Sequence, residues 1–281
     1  MFEMILDPLQ YPFMVRGIIA AVIVGSVCAV VGTYVVLRGM AFFGDALAHA
    51  ILPGIAIGYL VSSGTRQSLF WWAAVTSVIS AVAIDSIRRS TKIKQDTAIG
   101  IIFAGMFALG VALISTVRSY TVDLAHFLFG DVLGVSNTDL LLSAIFAVFI
   151  ILTIIAFYKE FLVLSFDPLL ATTLRLPARL LDLLLVILIA LAIVVSLQTV
   201  GVALMVAMLV TPAATAYLFT HRLLVMMGVA AIIAAFSGVL GLYLSFYFGI
   251  ASGAAIVLTC TIIFAAAWIY QTLRQRRRKS G

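Results

Sequence analysis

Apolar runs of about 20 residues, the length an α-helix needs to cross roughly 30 Å of hydrocarbon, follow one another along almost the whole chain. They are Phe13–Leu37, Met40–Ser62, Ser68–Ile87, Thr97–Val117, Leu140–Tyr158, Leu180–Leu197, Gly201–Phe219, Leu223–Phe248 and Ile250–Tyr270. In lipid no water satisfies the backbone, so each run must be helical. The charge count removes a soluble fold as the alternative. Of 281 residues, 64% are hydrophobic and 10% are charged, where an ordinary globular domain carries roughly a quarter charged. The 17 basic and 11 acidic side chains are too few to cover a water-facing surface. The expectation is an all-α polytopic membrane protein of about nine transmembrane helices.

Only Gln198-Thr199-Val200 separates the sixth run from the seventh, so the two read either as two crossings or as one re-entrant unit. Length alone leaves eight against nine open. Basic residues prefer the cytoplasmic side, and the clusters Arg88–Lys94 and Arg274–Lys279 share that side if an even number of crossings separates them. Nine crossings with the N-terminus outside meet this condition and also place Lys159, Arg175 and Arg179 inside. The chain then divides into an N-terminal extracellular or interfacial segment (1–12), a transmembrane domain (13–270) and a basic cytoplasmic tail (271–281). The net charge of +6 is concentrated beside apolar runs, as orientation signals are, which argues against a nucleic-acid partner. Cys28 and Cys260 lie far apart in apolar runs with no CxxC spacing, and read as small packing residues.

Two segments look structured without spanning. Val122–Leu133 is apolar, short and bounded by charges, as an interfacial or re-entrant helix on the outer face would be. Asp167-Pro168 is an N-cap followed by proline at the first helical position, and Pro177 supplies a stop, which predicts a short cytoplasmic helix over Pro168–Arg175. Leu169, Leu170, Leu174 and Leu176 give it more apolar surface than a bare loop presents to water. Both a covering partner protein and the membrane surface account for that face.

Ionisable side chains at membrane depth are costly, so those that occur there are functional candidates. In the second run Asp45 and His49 stand at i and i+4, stacked on one helix face with Cβ atoms about 6 Å apart. A carboxylate oxygen and an imidazole nitrogen so placed can hold one cation. A first-row divalent ion wants four or more ligands, and two copies about a two-fold axis would supply two Asp and two His. The oxygen and nitrogen set suits Mn²⁺, Zn²⁺ or Fe²⁺ better than Mg²⁺ or Cu⁺. The alternative is a pair that neutralises itself and fixes helix packing. Pro53 deprives the helix of one donor near His49 and predicts loosened backbone carbonyls there. Gly54 and Gly58 form a close-packing seam on a different face.

The other candidates carry less. His126, three residues after Asp123, and His221, beside Arg222, read as interface residues. Asp96 reads as the N-cap of the fourth span. Thr211-Pro212 interrupts the seventh and predicts a gating hinge or a tolerated kink. No Lys follows a Gly, so the chain has no P-loop, and the spacing of its three His excludes an HExxH helix. Asp45 and Asp131 both follow Phe-Gly, which loosely suits an intramembrane aspartyl protease, but Asp131 lies in a segment too short to span.

The stretch Leu37-Arg38-Gly39-Met40-Ala41-Phe42-Phe43-Gly44-Asp45-Ala46-Leu47-Ala48-His49-Ala50-Ile51-Leu52-Pro53-Gly54 resembles the second-span signature of the membrane permeases of manganese/zinc/iron ABC importers. Gln95–Gly100, Asp131–Leu133, Ser165–Pro168, Gln198–Gly201 and Met208–Ala216 are similar in the same order, and the resemblance runs from about Phe13 to Tyr270. It implies a homodimeric permease of the plasma membrane, without an ATP site or a permanently bound cofactor of its own. Such a permease receives a divalent metal from an extracellular or lipoprotein metal-binding protein and is driven by cytoplasmic ABC ATPase subunits. It further implies Asp45 and His49 as metal ligands. The helix introduced by Asp167 and Pro168, with Leu169, Leu170 and Leu174, becomes the element that docks on the ATPase, with alternating access as the mechanism. An ATP-independent secondary metal transporter or channel is the rival class.

Overall fold

A computed structural model of the chain describes residues 6–62, 66–91, 93–116 and 132–279. Among them the regular elements are all helical. In order they are α1 (Pro12–Leu37), α2 (Ala41–Ala50), α3 (Leu52–Ser62), α4 (Arg66–Ser90), α5 (Gln95–Ser115), α6 (Asn137–Ala156), α7 (Tyr158–Phe166), α8 (Pro168–Thr173), α9 (Ala178–Val200), α10 (Val202–Phe219), α11 (Leu223–Phe248) and α12 (Ser252–Lys279). Short 3-10 turns lie at Pro8–Gln10 and Val132–Gly134. Counting α2 with α3 as one interrupted span, nine helices among the described residues are long and apolar enough to cross a membrane.

Small residues decide which helices reach the centre. Gly17, Ala21 and Gly25 of α1 recur every four residues, on one face, and meet Leu242, Gly238 and Ala234 of α11 in antiparallel order. A Cβ added at Gly238 would lie 3.1 Å from the Cβ of Ala21, so the backbones approach as far as these side chains allow. Gly32 is tighter still: a Cβ there would fall 1.8 Å from the carbonyl oxygen of Leu209 in α10. With α1 held this way, it, the α2–α3 span and α9 form the buried middle of the bundle, while α5, α6 and α12 stand at its rim. Cys28 and Cys260 are buried free thiols in this packing, and the Cys28 Sγ sits 3.1 Å from the Ser196 hydroxyl.

The sixth and seventh expected runs resolve into two crossings. Gly201 alone separates α9 from α10, at φ 78° and ψ 171°, a conformation essentially restricted to glycine. From there the chain doubles back. Gln198, near the end of α9, donates to Asp139 at the start of α6 (3.1 Å). Phe219, at the far end of α10, meets the Tyr270 ring of α12 at 6.3 Å. Pro212 lies inside a continuous α10 rather than at a break, and the Thr215 hydroxyl donates to the Thr211 carbonyl one turn back (2.7 Å).

Several boundaries depart from expectation. The fourth span begins at Gln95 with Lys94 in the cap position, so Asp96 is not the N-cap but lies in the first turn, where its charge suits the helix dipole. The helix introduced by Asp167 ends at Thr173 rather than Arg175, and Arg175 adopts a left-handed φ of 54° that closes it. Asp167 itself behaves as read: its Oδ1 accepts from the Leu170 amide at 3.0 Å. A further helix, α7, follows the fifth span directly. The last span runs on as helix into the basic residues, since α12 continues without interruption to Lys279. Of the outer segment, Val132 and Leu133 form a 3-10 turn, with Leu133 near Gly17 of α1. Asp123, His126 and Asp131 fall outside the described residues.

Candidate metal site

The site is built on α2, and the turn that launches α2 is rigid. At the end of α1 the Gly39 amide donates to the Val36 carbonyl (3.1 Å) and the Met40 amide to the Val35 carbonyl (2.9 Å). Together they make a Schellman motif, with Gly39 supplying the left-handed residue at φ 67°. Apolar residues then fix the rotation of α2: Phe43, Leu47 and Ala50 are buried, and Gly44 fits against the Leu209 side chain. Asp45 and His49 are left on a more open face, their side chains 37% and 26% exposed.

On that face the imidazole is held on two sides. Its Nδ1 lies 2.9 Å from the Asp45 carbonyl oxygen and 3.7 Å from the Asp45 Oδ1. A carbonyl can only accept, so Nδ1 carries a proton, and in the neutral ring it is Nε2 that holds the lone pair. Two rings of α5 grip the imidazole edge-on, Phe103 with centroids 5.7 Å apart and Phe107 at 6.0 Å. Phe103 is itself packed against Phe42 of α2 at 6.1 Å. This is the arrangement expected of a histidine prepared to ligate through Nε2, with a fixed tautomer and a restricted ring. The Asp45 carboxylate stands on the Nδ1 side, so Asp45 and His49 would take one ion together only with Nε2 as the imidazole donor and the carboxylate swung toward it. Among the described residues no cluster of three or more His, Cys, Asp or Glu lies close enough to hold a metal within one chain.

Pro53 interrupts this span as expected, at Ile51, but the break is packed rather than open. Ala50, Ile51, Leu52 and Pro53 are buried. Gly110 of α5 closes on Leu52 and Pro53 from one side, and Gly54 meets Thr76 and the Trp72 carbonyl of α4 on the other. Thr211 and Pro212 lie on α10, the helix that abuts Gly44 through Leu209. Asp167 to Leu174 are remote in sequence from α2 and surround α8, where Leu170 and Leu174 are 44% and 55% exposed.

A second polar cluster goes beyond what motif reading singles out. Asp182, near the start of α9, accepts from Arg38 after α1 and from Arg88 and Arg89 at the end of α4. Asp85 receives Arg88 at 2.8 Å and Arg89 at 2.6 Å. Both aspartates fall inside expected spans, and the cost of a charge at such positions was the available signal.

Residues 10–271 match the model of the ABC 3 transport family. The chain is 44% identical over 262 residues to the manganese transport system membrane protein MntC of Halalkalibacterium halodurans, covering 93% of this chain and 88% of that one. It is 37% identical to a probable iron transport system membrane protein of Haemophilus influenzae, covering 98% and 100%. Among solved structures it resembles a chain of PsaBC from Streptococcus pneumoniae in complex with Fab, with a TM-score of 0.82, 39% identity and 95% coverage of both chains.

Proposed function

The chain belongs to the ABC 3 transport family, and on that premise we propose that it is the permease through which a divalent transition metal enters the cytoplasm, powered by separate ATPase subunits. Manganese is the first candidate cargo, because the relative named for manganese is more similar than the one named for iron. The observation that carries the reading is the His49 imidazole: its Nδ1 proton is spent on the Asp45 carbonyl at 2.9 Å, leaving Nε2 without that demand, and the Asp45 carboxylate stands one turn away on the Nδ1 side. Two donors from one chain are too few for a first-row ion, and two copies related by a two-fold axis make four. The homodimer therefore completes the site.

The face bearing Arg38, Arg88 and Arg89 is cytoplasmic on this reading, in line with the preference of basic residues for that side. α8 follows α7 on the same face, and its exposed Leu170, with Leu174 just after it, docks on the ATPase. Metal released by an extracellular binding protein reaches Asp45 and His49 of both protomers, and ATP binding and hydrolysis then rock the helices to open the opposite side. The flexing points assigned on this reading are Pro53, beside the break at Ile51, and Thr211 and Pro212, within α10.

Purification of the membrane complex tests this directly. A P-loop subunit that co-purifies, and Mn²⁺ uptake into proteoliposomes that requires ATP, support the importer. Uptake by the chain alone without ATP would replace it with a secondary transporter or channel.

A further inference from the structure

The Asp182 cluster joins the ends of three crossing helices, and its members are not equally fixed. Arg88 and Arg89 are each tied to Asp85 one turn back on their own helix, so they remain with α4 whatever Asp182 does. Arg38 has no such anchor. It holds Asp182 through Nη1 and reaches the Ser165 hydroxyl of α7 only at 3.4 Å. Its Nη2 is buried without a partner among the described residues. Among the described residues three guanidinium groups of the cluster face two carboxylates, and Arg38 is the one cation of the three without a carboxylate on its own helix. The pairing is shielded, with both side chains 11% exposed, and charge pairs count for more where water is scarce.

The connections of the two partners differ in kind. Asp182 stands five residues beyond Pro177, the cap of α9, which follows the end of α8 at Thr173 by four residues, and Ser165 stands two residues before the Asp167 cap of α8. Arg38 is the residue from which the Schellman turn at Gly39 launches α2, and Asp45 follows seven residues later. A displacement of α8 thus reaches Arg38 from both flanks, and the stiff turn passes it to the helix bearing Asp45 and His49. We propose that Arg38 is a positioning residue that transmits movement of the α7–α8–α9 segment to the metal-bearing helix α2 through its ion pair with Asp182. This rests on the importer reading above.

The test uses the complete complex with its ATPase subunits in proteoliposomes, comparing wild type, Arg38→Gln and Arg38→Lys for assembly, basal ATP hydrolysis and ATP-dependent Mn²⁺ uptake. Arg38→Gln is expected to assemble and to keep basal hydrolysis within twofold, while maximal uptake falls at least tenfold and the half-saturating Mn²⁺ concentration stays within threefold. Arg38→Lys, which keeps a charge for Asp182, restores at least a third of the uptake. The inference is overturned if Arg38→Gln transports within twofold of wild type. It is equally overturned if assembly and basal hydrolysis fall in parallel with uptake, which is what a merely structural brace gives, or if Arg38→Lys is no better than Arg38→Gln. A wild-type complex without ATP-dependent uptake would instead refute the importer reading.

Discussion

The Nδ1 atom of His49 lies 2.9 Å from the carbonyl oxygen of Asp45, one helical turn back. That contact places a proton on Nδ1, so in the neutral ring the lone pair is on Nε2. Without it, an aspartate and a histidine four residues apart are only a polar patch; with it, the proposed metal site has one ring nitrogen whose orientation is already set.

Phe103 holds the ring in that state from α5, with centroids 5.7 Å apart and planes at 89°. An aromatic contact of this kind contributes about 0.5–1.5 kcal/mol. Replacing Phe103 with Leu is expected to raise the half-saturating Mn²⁺ concentration roughly two- to tenfold. Maximal uptake should stay nearly constant, as measured in proteoliposomes over a range of metal concentrations. An unchanged half-saturating concentration would show that the ring does not depend on Phe103.

Gly32 has no room for a methyl group, because a Cβ would fall 1.8 Å from the Leu209 carbonyl oxygen. Gly32→Ala must push α10 from α1 and should destabilise the protein by about 3 kcal/mol or more. Gly228, with nothing within 4 Å of an added Cβ, is the control. Gly228→Ala should be neutral or gain up to about 1 kcal/mol from helix propensity. Thermal unfolding in detergent separates the two.

Gly39 differs from Gly32, since nothing lies within 4 Å of an added Cβ and only its φ of 67° resists substitution. Gly39→Ala should cost about 1 kcal/mol for the left-handed backbone, and Gly39→Asn less, because Asn tolerates that region. The order Gly, Asn, Ala in thermal stability is the expected result.

Asp167 caps α8 through the Leu170 amide at 3.0 Å, and a helix of six residues has little else to hold its first turn. Asp167→Ala should remove about 1 kcal/mol of helix stability. Recovery of the ATPase subunit on co-purification should fall with it. Leu170→Asn with Leu174→Asn, which removes the exposed apolar face, should lower that recovery further while leaving the permease's own thermal stability within about 0.5 kcal/mol of the parent.

What was readable in the sequence follows from how each feature is encoded. Span positions and the Asp45–His49 pair depend on local runs and a spacing of four residues, and both are present in the fold. The two-crossing answer at Gln198–Gly201 needed the backbone angles of Gly201, which composition does not carry. Asp182 was not singled out although it lies inside an apolar run, and its partners Arg89, Arg88 and Arg38 lie 93, 94 and 144 residues away, a pairing that no local pattern specifies. The basic run Arg88–Lys94 read as an orientation signal, while its first two members are tied to carboxylates. The grip of Phe103 and Phe107 on His49 was hidden for the same reason, since aromatic residues at helical spacing on α5 look like ordinary lipid-facing positions. Pro53 marked a break correctly, but whether its carbonyls are open or packed was decided by Gly110 and Gly54 on neighbouring helices.

The most direct test of the central claim is Mn²⁺ uptake by the reconstituted complex carrying His49→Gln or Asp45→Asn, beside wild type and with assembly and basal ATP hydrolysis recorded for each. Both variants should assemble and hydrolyse ATP, while uptake at low micromolar Mn²⁺ falls by a factor on the order of 100 through loss of a ligand. Uptake by either variant within twofold of wild type would contradict the assignment of this pair as the metal site.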